Sequence, residues 1–254
     1  MKETIYKLID FFTFGKGLKK EYHGYSVRLP TRYINYFPSG YESDNFNFLR
    51  QQCKPGDVVL DIGAHIGLFS SIAGKIVGSS GKVYAFEPSP KTNALLQKTI
   101  SINQLMPVVH VRNEAMGNAV GKTVFYISDG EADNSNSMIS YMQDRKLHGI
   151  DVTILTIDTL VKQEHLSKVN FIKIDVEGAE YDAIRGGEQT FRELRPVCIL
   201  AIHPDPIEAK GDKLEDIYDF VSNLSYHITY EGKPISKDIF CANKKLIDLH
   251  LLPM

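Results

Sequence analysis

The stretch VVLDIGAHIG at residues 58–67 decides the fold, because it combines a strand, a tight turn and the start of a helix. Residues 58–62 are a mostly apolar run, which is typical of a strand buried on both faces of a sheet. Gly63 permits a sharp bend, and Gly67 lets the next helix begin close to the strand. Apolar residues then recur at helical spacing between Phe69 and Ile76. The stretch therefore predicts the first strand–helix unit of an α/β sheet.

Further strands and helices alternate along the chain after this unit. The segment KVYAFEPS (82–89) predicts a second strand, and Ser89 followed by Pro90 is typical of a helix that starts there and runs to about Ile102. The later segments with strand or helix patterns are VVHVRNEAM (108–116), TVFYIS (123–128), VTILTI (152–157), NFIKIDV (170–176), PVCILAIH (196–203) and an amphipathic helix across 214–221. This alternation predicts a mainly parallel sheet with helices on both faces.

The composition is that of a globular protein with one large domain. The 254 residues are 24% charged and 43% hydrophobic, as is usual for such proteins. We expect residues 1–50 to form an N-terminal helix and cap segment and residues 51–254 to form the main domain. A net charge of −2 argues against a broad nucleic-acid-binding surface. The three cysteines are widely spaced, which predicts reduced thiols. No apolar run is long enough for a membrane span, and the N-terminus does not resemble a signal peptide. We therefore expect a cytoplasmic protein.

Residues 2–14 form a short amphipathic segment. One helical face carries the apolar residues Ile5, Leu8, Ile9 and Phe12. Lysines follow at positions 16, 19 and 20. Because most amphipathic helices pack on a core, the pattern favours a helix docked on its own domain. A peripheral membrane or partner contact through residues 1–20 is the alternative. The tyrosine-rich residues 22–41, broken by glycine and proline, predict short strands and turns of a cap.

Two features at the ends of the first two predicted strands indicate an adenosine-type ligand. The turn after Asp61 offers the free N–H groups of a helix N-terminus to a polar ligand. Glu87, which ends the second strand and precedes Pro88, is placed to accept both hydroxyls of a ribose. In an open α/β sheet such strand ends meet at one edge. Together the two features predict a nucleoside site there.

The spacing of the glycines separates two cofactors. A dinucleotide site requires G-x-G-x-x-G, whose second glycine makes room for pyrophosphate. Here Ala64, His65 and Ile66 lie between Gly63 and Gly67. This spacing suits S-adenosylmethionine, which has no phosphate. Asp61 would then face the cationic amino-acid end of that ligand, directly or through water.

Several motifs, taken in order, resemble the FkbM family of S-adenosylmethionine-dependent methyltransferases. They are PGDVVLDIGAHIGLFS, FEPSP, TIDTL and KIDVEGAEYDAIRGGE, and the resemblance covers roughly residues 40–203. It implies a class I, Rossmann-like methyltransferase fold: a seven-stranded, mostly parallel sheet whose last strand is antiparallel. We expect YHITYEG (226–232) and DIFCANK (238–244) to form the closing hairpin. The resemblance also implies methyl transfer to an oxygen, often a hydroxyl on a sugar, polyketide or other small metabolite.

The resemblance extends the set of cofactor-binding candidates. By their positions after the third strand, Glu114 or Ala115 would contact the adenine. Glu42, before the first strand, matches an acidic position of the family and would close over the cofactor. The turn departs from the family, which usually has Gly-Ala-Asn where this chain has Gly63-Ala64-His65. An imidazole still donates or accepts a hydrogen bond, but it does not reproduce the contact of an amide.

The acceptor site is expected at the ends of the next two strands. Asp175 and Glu177 end one strand, and His203 ends its neighbour. An alcohol needs a base as it attacks, and a histidine beside carboxylates is a suitable proton acceptor near neutral pH. Glu180 and Asp182 follow in the first helical turn, where carboxylates stabilise a helix N-terminus. We therefore assign the chemistry to Asp175, Glu177 and His203, and helix capping to the other two acids.

Three alternatives stay open at this point. A divalent cation held by Asp175 and Glu177 is not favoured, because His203-Pro204-Asp205 completes the set of ligands imperfectly. A nicotinamide-dependent oxidoreductase, or a scaffold that binds the cofactor without catalysis, would use the same first turn. The polar loop 134–137 is an expected acceptor-binding or lid element.

Overall fold

The computed structural model describes residues 2–128 and 147–254. Its helices are α1 (Lys2–Phe12), α2 (Ser43–Gln52), α3 (Leu68–Val77), α4 (Pro90–Ile102), α5 (Ile157–Gln163), α6 (Glu180–Arg185), α7 (Glu188–Glu193), α8 (Pro204–Lys210), α9 (Leu214–Asn223) and α10 (Lys237–Cys241). Its strands are β1 (Leu18–Tyr22), β2 (Tyr25–Leu29), β3 (Val58–Ile62), β4 (Lys82–Phe86), β5 (Val109–Arg112), β6 (Ala115–Met116), β7 (Gly121–Ser128), β8 (Leu147–Leu155), β9 (Phe171–Ile174), β10 (Val197–Ile202), β11 (Tyr226–Tyr230), β12 (Lys233–Pro234) and β13 (Ile247–Pro253).

The central sheet has the order β12-β11-β13-β10-β9-β3-β4-β5. Strands β5, β4, β3, β9 and β10 are mutually parallel, and β13 pairs antiparallel with both β10 and β11. The predicted α/β class with an antiparallel last strand is confirmed. Within the described residues the sheet has eight strands where seven were expected, because the two-residue strand β12 adds to its edge.

The register places the predicted site residues at one level of this sheet. Ile62, the last residue of β3, lies opposite both Phe86 of β4 and Ile174 of β9. The residues that follow these three strand ends therefore meet at the carboxyl edge of the sheet. Apolar clusters on both faces of the sheet hold the strands in this register.

The predicted closing hairpin is wrong. Residues 237–241 form helix α10, whose start is capped by the Ser236 side chain accepting a hydrogen bond from the backbone N–H of Ile239. The long antiparallel partner of β11 is β13, with Ile228 opposite Leu251. The cap and the side-chain packing of Phe240, which is fully buried, favour one helical turn over an extended strand.

The predicted third strand is also divided. Residues 109–112 form β5 of the central sheet, whereas 115–116 form β6 of a separate sheet with the order β6-β8-β7. Asn113 lies at the break, where its side-chain amide donates to the carbonyl oxygens of Glu87 and Pro88. The expected acceptor-binding loop 134–137 lies outside the described residues.

Helix α1 forms as predicted, but its orientation differs from the favoured one. Asp10 accepts a hydrogen bond from the buried Thr31 hydroxyl, and Ile9 is half-buried beside it. The expected packing face carries Ile5, Leu8 and Phe12, which are all exposed. The polar anchor at Asp10 thus fixes the helix with most of its apolar face toward solvent.

Candidate active site

A cavity of about 340 Å³ lies at the carboxyl edge of the central sheet, beneath the segment that joins β2 to α2. It is lined by Phe37, Tyr41, Glu42, Phe46, Ile62, Gly63, Ala64, His65, Leu68, Phe69, Phe86, Glu87, Pro88, Glu114, Ala115, Met116, Phe125, Lys173, Asp175, Val176, Glu177, His203, Leu246 and Asp248. The structure therefore brings every predicted site residue to this wall except Asp61 and Gly67.

Glu87 is held rigidly at the end of β4. One carboxylate oxygen accepts from the backbone N–H of Ser89 at 2.9 Å and the other from that of His65 at 3.2 Å. Burial raises the pKa of Glu87 to about 7, although these two backbone hydrogen bonds oppose the rise. Each oxygen keeps a second lone pair, so the carboxylate can accept two ligand hydroxyls without moving.

The turn after β3 can be formed only with glycine at its first position. Gly63 has φ +88°, and a Cβ there would lie 1.8 Å from the carbonyl oxygen of Asp175. The turn thus passes directly over the end of β9. The N–H groups of Gly63 and Ala64 both donate to the carbonyl oxygen of Phe86, at 3.1 and 2.9 Å, which ties the turn to the end of β4.

His65 explains why this chain tolerates a departure from the usual family turn. Its φ of +49° lies in the left-handed region that asparagine enters readily. Its backbone N–H, which any residue supplies, holds Glu87. Its ring packs against Tyr36 and Phe37 of the cap, with centroids 5.3 and 6.3 Å away. The imidazole therefore joins the turn to the cap.

Asp61 and Gly67 lie behind the cavity wall. Asp61 is fully buried and accepts a hydrogen bond from the Ser70 hydroxyl, while its Oδ1 has no hydrogen-bond partner in the described part of the chain. Burial raises the pKa of Asp61 to about 6, against the opposing effect of Lys173. Gly67 is the N-cap of α3, and a Cβ there would meet Leu96 of α4 at 2.6 Å. Both residues support the turn from beneath.

Lys173 is a wall residue that sequence reasoning missed. It lies opposite Asp61 in β9, is almost fully buried and donates to Asp175 at 2.6 Å. Burial lowers the pKa of Lys173, but Asp175, Glu42 and Asp61 outweigh burial and raise it well above its ordinary value. The signal in the sequence was the single charge inside the apolar strand FIKI. A buried lysine in a strand is costly unless carboxylates face it.

The cap adds a second group of acids to the same wall. Glu42 has φ +45°, directly precedes α2, and accepts a hydrogen bond from Asn45 at 3.3 Å. Asn45 also donates to Asp248 of β13 at 2.9 Å. Burial and Glu42 raise the pKa of Asp248 to about 6, with Lys173 opposing. Asp248 and Asn45 carried no signal in the sequence, because they lie 203 positions apart.

Glu114 and Ala115 occupy the far end of the cavity. The Glu114 carboxylate is bound by two nitrogens of Arg112, at 2.8 and 3.2 Å. It is therefore committed to a structural pair. The nearby wall is apolar, with Ala115, Met116 and Phe125 in contact with the cavity. Such a wall suits a flat aromatic base.

The acceptor-side residues form one cluster, as the neighbouring strand ends predicted. Nε2 of His203 lies 3.7 Å from Oδ1 of Asp175 and 3.6 Å from Oε1 of Glu177. Glu177 adopts φ +54°, so the chain has already turned at this residue, beyond the end of β9. Burial raises the pKa of Asp175, but the charges of Lys173 and His203 outweigh burial and lower it.

Glu180 and Asp182 differ more from each other than the sequence suggested. Glu180 is fully buried and its Oε1 lies 2.7 Å from Nδ1 of His203. Asp182 is at the surface, where it pairs with Asn118 and Lys210. Helix capping therefore describes Glu180 incompletely, because its carboxylate belongs to the cluster around His203.

The ionisation of His203 differs from the expected neutral imidazole. Burial lowers the pKa of His203, but the hydrogen bond with Glu180 and the charges of Asp175 and Glu177 outweigh burial and raise it to about 9. At pH 7 the ring is therefore an imidazolium in the absence of ligand. A cationic ligand in the cavity would lower this pKa.

The residues present fit S-adenosylmethionine. The wall carries an excess of carboxylates that suits a cationic ligand, and behind it the buried Oδ1 of Asp61 lacks a hydrogen-bond partner among the described residues. Over residues 2–128 and 147–254, no group of three or more His, Cys, Asp or Glu side chains is arranged to hold a metal ion.

The order of the strands, the glycine turn after β3 and the carboxylate at the end of β4 together define a class I S-adenosylmethionine-dependent methyltransferase fold. Comparison with known families makes the assignment specific. The chain belongs to the family of the methyltransferase FkbM domain, whose sequence model matches residues 61–228.

Individual relatives agree with this assignment. The chain is 28% identical over 156 residues to the 2-O-methyltransferase NoeI of Sinorhizobium fredii, covering 56% of this chain and 62% of that protein. It is 27% identical over 164 residues to the hexuronic acid methyltransferase AglP of Haloferax volcanii, covering 64% and 62%. The matches thus span less than two thirds of either relative.

Among solved structures, a candidate rRNA methylase from Clostridium thermocellum shares the fold. It superposes with a TM-score of 0.52 at 13% identity, over 83% of this chain and 93% of that one. At this identity the likeness concerns the fold alone.

None of the described helices is long and apolar enough to cross a membrane.

Proposed function

We propose that this protein transfers the methyl group of S-adenosylmethionine to a hydroxyl oxygen of a small molecule or glycan. The observation that carries the proposal is that Glu87 and the cluster of Asp175, Glu177 and His203 line the same cavity. Family membership supports the same reaction class. Residues 51–254 would form the catalytic domain, and the segment before it would cap the cavity through Phe37, Tyr41 and Glu42.

The cofactor would be held by three parts of the wall. Glu87 accepts the ribose hydroxyls, and the Gly63-Ala64-His65 turn lines the cavity beside it. The carboxylates of Glu42 and Asp175 face the cationic amino-acid end of the cofactor. Asp61, behind the wall, affects the site by stabilising the charge of Lys173. Ala115 contacts the base, with Glu114 held aside by Arg112.

The chain's own residues would position the acceptor and remove its proton. S-adenosylmethionine supplies, when bound, a methyl group on a cationic sulfur. The acceptor oxygen forms its new C–O bond as the C–S bond breaks, and the hydroxyl proton passes to Nε2 of a deprotonated His203. Asp175 and Glu177 orient the hydroxyl, because both carboxylates lie within 4 Å of that nitrogen.

A polyhydroxylated acceptor fits the described wall. Carboxylates accept hydrogen bonds from hydroxyls, and Tyr41, Phe37 and Phe46 add aromatic surface in the same cavity. NoeI and AglP are named for methylation of a 2-hydroxyl and of a hexuronic acid. The net charge of −2 favours such an acceptor over a nucleic acid.

Calorimetry with S-adenosylmethionine and with NADH tests this proposal. We expect S-adenosylmethionine to bind and NADH to leave no signal. Glu87→Ala should weaken binding about 10- to 100-fold, since the proposed acceptor of both ribose hydroxyls is removed. The surface variant Glu188→Ala, which among the described contacts loses a pair with Arg192, is the control. NADH binding in place of S-adenosylmethionine would overturn the proposal in favour of an oxidoreductase.

We further propose that residues 1–20 contact an anionic membrane surface. Ile5, Leu8, Phe11, Phe12 and Phe14 are between 49 and 88% exposed. Five lysines against two acids give this segment a formal charge of +3, whereas the whole chain carries −2. An exposed apolar face beside lysines is typical of a helix that lies in the lipid interface.

Co-sedimentation with vesicles tests the membrane contact. The wild type should sediment with vesicles containing phosphatidylglycerol and not with pure phosphatidylcholine. Replacing Phe11, Phe12 and Phe14 by serine should abolish sedimentation with cofactor affinity unchanged. Ile239→Ser, which alters an exposed residue elsewhere, is the matched control. Equal sedimentation of the triple variant would refute the contact.

A further inference from the structure

Glu180 is a completely buried carboxylate behind the cavity wall. Its Oε1 accepts from the backbone N–H of Gly178 at 3.0 Å and lies 2.7 Å from Nδ1 of His203. Within the described residues its Oε2 has no hydrogen-bond partner. Burying such a carboxylate costs free energy unless its charge is compensated, and the compensating group here is His203.

The contact decides which nitrogen of His203 faces the cavity. With Nδ1 donating to Glu180, Nε2 is left on the side of Asp175 and Glu177, both of which line the cavity. A carboxylate on one ring nitrogen fixes the tautomer and the orientation of the ring. It also stabilises the imidazolium that forms when the other nitrogen takes a proton.

We infer that Glu180 is a positioning residue for the proposed methyl transfer. It holds the His203 ring with Nε2 toward the acceptor hydroxyl and stabilises the ring once the proton has moved there. The inference rests on the proposed function, since it assigns Glu180 a part in the same proton transfer.

The charges that face His203 come from three places. Glu180 lies at the start of α6, Asp175 follows β9, and Glu177 lies in the loop between them. Asp175 is already paired with Lys173. Glu180 is therefore the carboxylate in direct hydrogen-bond contact with the ring and should dominate its titration.

Glu180→Gln is the sharpest variant, because it retains Oε1 as an acceptor for Nδ1 and removes the charge. We expect the NMR titration midpoint of His203 to fall by about 1–2 pH units. We expect kcat to fall about 100-fold, with its pH profile displaced to lower pH and affinity for S-adenosylmethionine unchanged. Glu180→Asp should recover part of kcat. Asp182→Asn, on the same helix but in a surface pair, should behave as the wild type.

The titration separates this inference from the proposed function. The His203 resonance is assigned by its loss in His203→Gln, and its midpoint can be measured without any acceptor. If no hydroxyl acceptor is methylated, the proposed function fails and the titration still tests the contact. A wild-type midpoint at or below 6.5 would overturn the role of Glu180 even if the variant did not fold. An unchanged midpoint and pH profile in Glu180→Gln would overturn it as well.

Discussion

At the residue scale, the site depends on backbone conformations that few residues adopt. Gly63 and Gly178 have φ +88° and +106°, and His65 and Glu177 have φ +49° and +54°. These residues turn the chain directly after β3 and β9, so that the carboxylates that follow the strand ends line one cavity. At Gly63 there is, in addition, no room for a side chain.

Gly63→Ala should therefore destabilise the protein strongly. The left-handed conformation alone costs an L-residue about 1–2 kcal/mol. The new Cβ would also lie 1.8 Å from the carbonyl oxygen of Asp175, so we expect a total loss of about 3 kcal/mol or more in the free energy of unfolding. Urea denaturation measures this loss.

Gly24→Ala provides the matched control for this prediction. Gly24 has φ +84°, and a Cβ there would meet nothing within 4 Å. In Gly24→Ala the free energy of unfolding should fall only by the cost of the left-handed conformation, about 1–2 kcal/mol. Equal losses in the two variants would show that the close approach to Asp175 has no energetic consequence.

At the scale of elements, helix α2 joins the cap to the far side of the central sheet. The side chain of Asn45, almost fully buried, donates to Asp248 at 2.9 Å and meets His250 at 3.1 Å, both on β13. One helical turn later the ring of Phe48 stacks on His250 with centroids 3.9 Å apart. These contacts hold Glu42, at the start of α2, over the cavity.

Asn45→Ala should loosen this junction. It leaves a buried acceptor on Asp248 and a ring nitrogen on His250 without their partner, which costs about 1–3 kcal/mol in the free energy of unfolding. Affinity for S-adenosylmethionine should fall with it, because Glu42 loses its hydrogen bond from the same amide. Calorimetry and urea denaturation give both values.

A variant on the same helix controls for the loss of an asparagine side chain. Asn47 hydrogen-bonds only the exposed Arg50 among the contacts the structure describes. Asn47→Ala should change stability by less than about 0.5 kcal/mol, as surface substitutions do. If Asn45→Ala is as mild as Asn47→Ala, the junction does not depend on this amide.

At the scale of the whole molecule, buried ionisable groups around one cavity couple folding to pH. Burial raises the pKa of Asp61 and Asp248 to about 6 and that of Glu87 to about 7. Surrounding carboxylates raise the pKa of His203 to about 9 despite its burial. A folded-state pKa above the unfolded value favours the protonated folded state. These groups therefore stabilise the protein at low pH and lose that contribution as pH rises.

The ligand-free protein should consequently become less stable between pH 5 and pH 9. The three acids lose their contribution as pH rises through about 6–7, and His203 loses up to about 3 kcal/mol between its unfolded pKa of about 6.5 and its folded value. Asp175, whose pKa is lowered, loses its contribution only in acid. Unfolding free energies at pH 5, 7 and 9 should show this decline.

His203→Gln isolates the upper part of the decline. Without an ionisable ring, the fall between pH 7 and pH 9 should be reduced while the fall below pH 7 remains. S-adenosylmethionine, a cation in an acidic cavity, should stabilise the protein more at pH 8 than at pH 6. An unfolding free energy that is flat from pH 5 to pH 9 would contradict the raised pKa values.

The sequence by itself determined the fold class and indicated the strand-end residues of the cavity wall. Strand–turn–helix patterns are local, so VVLDIGAHIG and the strand-end acids Glu87 and Asp175 could be identified without knowing what surrounds them. Because parallel strands end at one edge, strand order alone implied that these residues meet. Family motifs in the same segments added the expectation of S-adenosylmethionine.

Only the tertiary structure decided how the wall is charged and which residues lie behind it. Asp61 is buried opposite Lys173, which lies 112 positions away in the chain. The Lys173–Asp175 pair and the Glu180–His203 contact likewise form only once the strands are assembled. The same holds for the outward face of α1 and for β13 as the partner of β11. Desolvation and charge pairing are properties of the surroundings, and local patterns carry no information about residues that meet only after folding.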